Sequence, residues 1–71
     1  MVTVREHDGG VRQHHLMEDP RGVLWLALGP RRGVLSLLLL ELGWQLLDAD
    51  PNERTTLEAK GFAVGQFSAS A

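Results

Sequence analysis

The 71-residue chain has no cysteine, tyrosine or isoleucine, and Lys60 is its single lysine. Without cysteine, neither a disulfide nor a cysteine-ligated zinc can staple so small a domain, which leaves association with another chain as the common route to a sufficient core. The same absence fits a reducing interior, and a cytoplasmic location is the expectation. Arginine in place of lysine is a codon signature of a GC-rich gene, of bacterial or phage type, and says nothing about activity. Charge of one sign is also scarce. A formal net charge of −2 is too small to argue for nucleic acid or a membrane surface by itself. Its distribution is mildly bipolar, with five arginines against four acids through Gly33 and two cations against five acids from Val34 onward. Arg5, Glu6, His7 and Asp8 stand too early for a signal peptide.

What the chain does have is the leucine-rich stretch Val34 to Leu47. Leucine dominates it and β-branched residues are almost missing, so helix is favoured over strand. At about 100° per residue Glu41, Gln45 and Asp48 fall in one narrow sector, with leucines and Trp44 over most of the remaining circumference. Such a helix must be buried on nearly all sides. It is not read as a membrane span, because the uninterrupted run is shorter than the roughly 20 residues required and Glu41 sits inside it. Gly43 is a fork. A helix running through it costs about 1 kcal/mol relative to alanine, whereas a helix stopping at Leu42 makes Gly43 a C-terminal cap and Trp44 to Leu47 a short buried strand.

Along the chain, Val2 to Glu6 and Val11 to Met17 alternate as two strands of a hairpin joined by His7-Asp8-Gly9-Gly10, where Asp-Gly or Gly-Gly forms a tight turn. Either two-residue turn places Val2, Val4, Val11, His15 and Met17 on one face and Thr3, Arg5, His7, Arg12 and His14 on the other. Glu18 to Gly22 breaks the pattern. Val23 to Leu28, apolar throughout, reads as a strand that is central or covered on both sides and that extends the hairpin. Asp50-Pro51-Asn52-Glu53 then carries a capping box with proline at the first helical position, predicting a second helix from Pro51 to about Lys60. Gly61 closes it, with Phe62 packing back on Leu57. Phe62 to Phe67 is a possible last strand and residues 68–71 a disordered tail. The expectation is one small α+β domain over residues 1–67: an N-terminal antiparallel hairpin with a third strand, a buried leucine-rich helix, a short capped helix and a possible last strand. The alternative is a βαβ unit whose helix ends at Gly43.

Two sets of residues bear on function. The first is apolar: Val23 to Leu28 and the leucine helix both need covering, the rest of the chain offers few partners, and large uncovered patches mark contact surfaces. Trp25, Leu38, Leu39, Leu42 and Trp44 are the expected interface residues, and a homodimer or a tight complex with another protein is the expected state. The second is cationic. Arg31 and Arg32 lie in a Gly29 to Gly33 loop at the start of the helix, where free N–H groups attract anions, and Arg5, Arg12 and His14 share a hairpin face that an anionic partner would relieve. That set supports the alternative of a small nucleic-acid or phosphate binder, although its face has no aromatic to stack bases.

Metal and catalytic readings find little. His14 and His15 point to opposite faces of a strand, and His7 with His14 lacks a third ligand. Asp48, Asp50 and Glu53 are close in sequence, but capping accounts for Asp50 and Glu53, and Ser36, Ser68 and Ser70 have no triad spacing. No enzyme activity, cofactor or metal is expected.

The order strand VLWLAL, loop LGPRRG, helix VLSLLLLEL, Gly43, strand WQLL and then DADPN resembles the opening βαβ unit of P-loop nucleotide kinases and of the partition ATPases. Those families carry Gly-Lys followed by Ser or Thr in the loop. Here Arg32 and Gly33 occupy those places, so the resemblance implies neither ATP binding nor catalysis. It adds support to the βαβ branch of the Gly43 fork, in which Asp48 and Asp50 would end a strand at a crevice.

Overall fold

Alternating and continuous apolar runs supply most of the elements. In the computed structural model, which describes residues 1–65, these are β1 (Val2–Arg5), β2 (Val11–His14), β3 (Leu16–Glu18), β4 (Leu24–Leu28), β5 (Arg31–Val34), α1 (Leu35–Leu40), β6 (Gln45–Ala49) and α2 (Pro51–Ala59). The architecture is α+β. Two antiparallel three-stranded sheets, ordered β2-β1-β6 and β3-β4-β5, share one apolar core. Val2 and Val4 contribute from the first sheet and Leu24 and Leu26 from the second. Leu35 and Leu38 of α1, Trp44, Leu46, Leu57 of α2 and Val64 complete it. Among the described residues, no helix is long and apolar enough to cross a membrane.

The first hairpin forms, but its faces differ from the sequence expectation. Gly9 donates to the Glu6 carbonyl and Glu6 to the Gly10 carbonyl, both at 2.8 Å, which closes a three-residue loop with Gly9 at φ +88°. This is a turn followed by a glycine bulge rather than a two-residue turn. The extra residue shifts the register by one, so Val2 faces His14 and Val4 faces Arg12. A one-residue shift turns every β2 side chain over. Arg12 and His14 consequently share the side of the buried valines, and Val11 is left outside, 53% exposed.

The run from Val11 to Met17 is not one strand. It breaks at His15, where the chain passes from the first sheet to the second, and the His15 carbonyl accepts from the Ala27 N–H at 2.9 Å. β4 is central, as its continuous apolarity predicted, but in the second sheet; the third strand beside the hairpin is β6. Arg31 and Arg32 lie in a strand and not in a loop. A two-residue turn, Gly29-Pro30, with Gly29 at φ +78°, folds β5 back onto β4.

α1 is six residues long, far shorter than Val34 to Leu47. Gly43 ends the excursion: at φ +73° it reverses the chain so that the Trp44 N–H reaches the Leu38 carbonyl at 3.0 Å. β6 follows and pairs antiparallel with β1, with an irregularity between Thr3 and Val4. The helix thus stops before Gly43 and a strand follows it, but β4 and β6 belong to different sheets and every strand pairing among the described residues is antiparallel. The βαβ unit is therefore not formed, and the resemblance to nucleotide-binding proteins ends at the order of elements.

α2 matches its sequence signals at both ends, with one substitution of partners. Asp50 and Glu53 do not form a capping box, because both carboxylates turn to the Met1 ammonium, at 2.6 and 2.7 Å. At the other end the Phe62 N–H bonds the Leu57 carbonyl and Gly61, at φ +92°, bonds that of Glu58, the double closure of a Schellman motif. No strand occurs from Phe62 through Gly65; the remainder of the expected last strand and the tail, residues 66–71, lie outside the described residues.

Candidate interaction surface

α1 divides into two faces. Leu35 and Leu38 are buried and Leu39 is half-buried, whereas Leu37 is 53% and Leu40 84% exposed. Leu37 and Leu40 are one turn apart and lie side by side. Leu42, just beyond the helix, is 51% exposed, so three leucines within six residues face water. Beside them Leu39 lines a groove of about 300 Å³ with Trp44, Gln45, Leu46, Gly61, Phe62 and Ala63. Gly61 and Phe62, from the C-terminal closure of α2, and Trp44, which follows the Gly43 reversal, are part of its lining.

The expected interface residues therefore separate. Leu42 is on the exposed row and Leu39 is between row and groove. Leu38, 5% exposed, and Trp44, 9% exposed, are core residues of the monomer. Trp25 is on the other side of the second sheet from Leu38 of α1: its indole N–H donates to Asp19 Oδ2 at 3.1 Å, and Arg32 lies over its ring at 4.6 Å. Leu37 and Leu40 are not among the residues expected from the sequence, and the signal for their exposure is Glu41. An acid in the middle of a leucine run marks the face turned to water, and Leu37, four residues earlier, shares that face.

The cationic set is dispersed. Arg31 and Arg32 alternate to opposite sides of β5. Arg5 is on the outer side of the first sheet, while Arg12 and His14 are on the other. Arg12 lies 3.7 Å from Glu6, and His14 is turned inward. The six-residue α1 is too short to offer an anion site at its N-terminus, and the segment before it is a paired strand. Among the described residues no cluster of three or more His, Asp or Glu could hold a metal ion.

Two polar devices fix the scaffold under this surface. His14 places Nε2 3.0 Å from Glu6 Oε2 and Nδ1 3.1 Å from the Ala27 carbonyl, joining the first sheet and its turn to the second. Asp19 organises the β3–β4 turn, accepting from the backbone N–H groups of Val23 and Arg21 and from the Trp25 indole. The Val23 N–H is the main reason that the Asp19 carboxyl is held below the usual carboxylate range, followed by the indole.

No protein-family model, no curated protein and no solved structure matches this chain.

Proposed function

We propose that this chain is a small non-enzymatic module that binds protein, in a regulatory or assembly role, through the leucine face of α1. One observation carries the reading: Leu37, Leu40 and Leu42 stand half or more exposed on the same short segment whose other leucines form the core. Full burial of a leucine is favourable by about 1.5–3 kcal/mol, so leaving three adjacent ones in water forgoes stabilisation that a partner surface would recover. Contiguous apolar patches on small soluble proteins mark contact sites. The groove lined by Leu39, Trp44 and Phe62 extends the patch and offers a slot for one partner side chain. A cysteine-free chain is in keeping with action in the cytoplasm.

The nucleic-acid or phosphate reading loses its support with the dispersal of its arginines. Salt separates the two, since phosphate contacts weaken steeply with added salt and an apolar contact does not. Photocrosslinking in the host tests the proposal. A photoreactive phenylalanine analogue at Leu40, irradiated in host lysate at low and at high salt, should give the same discrete adduct in both and none with Leu37→Glu, and the same analogue at exposed Thr55 on α2 should give none. Equal labelling from both positions, or none from Leu40, would reject it.

A further inference from the structure

We infer that the open edge of the second sheet, strand β5, is a docking site for an extended acidic segment of another protein, which adds to β5 as a further strand. This surface is distinct from the leucine face of α1 and rests on other residues.

The backbone of β5 is presented for pairing. The Ala27 N–H bonds the His15 carbonyl at 2.9 Å, so the polar groups of Ala27 point toward β3. Residues directly opposite in an antiparallel ladder either exchange both hydrogen bonds or turn their groups away from each other. Ala27 stands opposite Arg32 and is turned away from it, so the Arg32 N–H and C=O project from the other edge of β5. Val34, two residues on, projects its N–H the same way, while its carbonyl stands at the start of α1. Among the described residues no strand lies beyond β5, and neither group of Arg32 bonds another backbone group.

Charge selects the occupant. On the open edge of β2, Arg12 and His14 meet Glu6; on that of β3, Glu18 meets Lys60. The β6 edge is already met by the Gly65 N–H on the Leu46 carbonyl. On β5, Arg31 and Arg32 are adjacent and exposed, and neither has a carboxylate within ion-pair distance among the described residues. They stand on opposite sides of the strand, Arg32 over Trp25 and Arg31 on the side of Gly33, where Leu38 of α1 packs. Cations on an open edge oppose pairing with a second copy of that edge. The same cations favour a strand with acids at two consecutive positions, because its successive side chains reach opposite sides and so meet one arginine each. In strand addition of this kind, main-chain hydrogen bonds give affinity and side chains give specificity. A nucleic-acid backbone fits less well, since its phosphates supply no donor for the Arg32 C=O.

Amide NMR of the full chain, titrated with the end-blocked peptide Val-Thr-Val-Glu-Glu-Val-Thr-Val, tests this. The peptide has the same side chains in either direction, so parallel and antiparallel addition are both probed. The Arg32 and Val34 N–H signals are expected to shift downfield and to exchange more slowly with solvent. The counterpart with Lys-Lys in place of Glu-Glu should bind about fivefold more weakly or worse, and so should the Glu-Glu peptide on the Arg31→Gln, Arg32→Gln double variant, whose fold circular dichroism checks. Equal binding of the two peptides overturns the acidic partner. Shifts centred on the β2 or β3 edge, or on Leu37 and Leu40, overturn β5 as the site, as do Arg32 and Val34 signals unmoved at millimolar peptide. Oligothymidylate that binds more tightly than the peptide and leaves those two signals in place assigns the arginines to phosphate and overturns strand addition.

Discussion

His14 lies over Trp44 with the ring centroids 5.7 Å apart and the planes inclined by 21°. One histidine from β2 thereby contacts the residue that follows the Gly43 reversal, the Ala27 carbonyl of β4 and the Glu6 carboxylate of the first turn. Both ring nitrogens face acceptors. The side chains of His14 and Glu6 are 14% and 13% exposed, so the bridge is largely out of water. His14→Ala leaves two part-buried acceptors unsatisfied and bares one face of Trp44. It should lower stability by about 1–3 kcal/mol, read as a reduced urea midpoint with a red-shifted tryptophan emission. An unchanged midpoint would mean that the two sheets are held by the apolar core alone.

The two faces of α1 should respond oppositely to truncation. Leu35 is fully buried, and Leu35→Ala should cost about 2–5 kcal/mol, a large part of the total stability of a domain this size. Leu40→Ala, on the exposed face, should stay within about 0.5 kcal/mol of the wild-type monomer. Thermal melts at a concentration where the chain is monomeric separate the two. Similar losses at both positions would contradict the division of the helix.

Gly43→Ala isolates backbone conformation from packing. A Cβ at that position meets nothing within 4 Å, yet the residue sits at φ +73°. The substitution should cost about 1–2 kcal/mol through strain alone. Urea unfolding should show it without any change in cooperativity. A neutral result would mean that the helix end tolerates another exit.

Acid should undo the β3–β4 turn through Asp19. Its carboxyl is depressed by hydrogen bonds from the Val23 N–H, the Trp25 indole and the Arg21 N–H, in that order. A group depressed on folding adds stability above its unfolded value, about 3.9, and loses it as pH falls through the lower folded value. Asp19→Asn should therefore be less stable than the wild type at neutral pH, with the difference closing below about pH 3.9. Urea midpoints measured across that range check it, and a difference independent of pH would assign the effect to packing.

Much of this was legible in the sequence where the signals are local. The strand before and after the first turn, the centrality of Leu24–Leu28, the start of α2 at Pro51 and its closure at Gly61 and Phe62 all follow from residue type and spacing. The faces of the first hairpin were not legible, since a loop of three residues instead of two depends on whether Gly9 takes the bulge position, and that choice inverts Arg12 and His14. The extent of α1 was hidden for a different reason. A run of leucines has no apolar period, so its boundaries are set by Gly43 and by the β5 pairing that Gly29-Pro30 creates across β4. The candidate surface was legible as an excess of apolar residues, but the identity of its exposed members depended on where the helix began.

A dilution series of amide NMR spectra tests the contact face most directly. If chains meet through α1, amide shifts that change with concentration should cluster at residues 36–43, with the core of the first sheet unmoved, and Leu40→Glu should remove the dependence. Concentration-dependent shifts confined to the β2 or β3 edges, or spectra unchanged across the whole range, would contradict association of the chain with itself through α1.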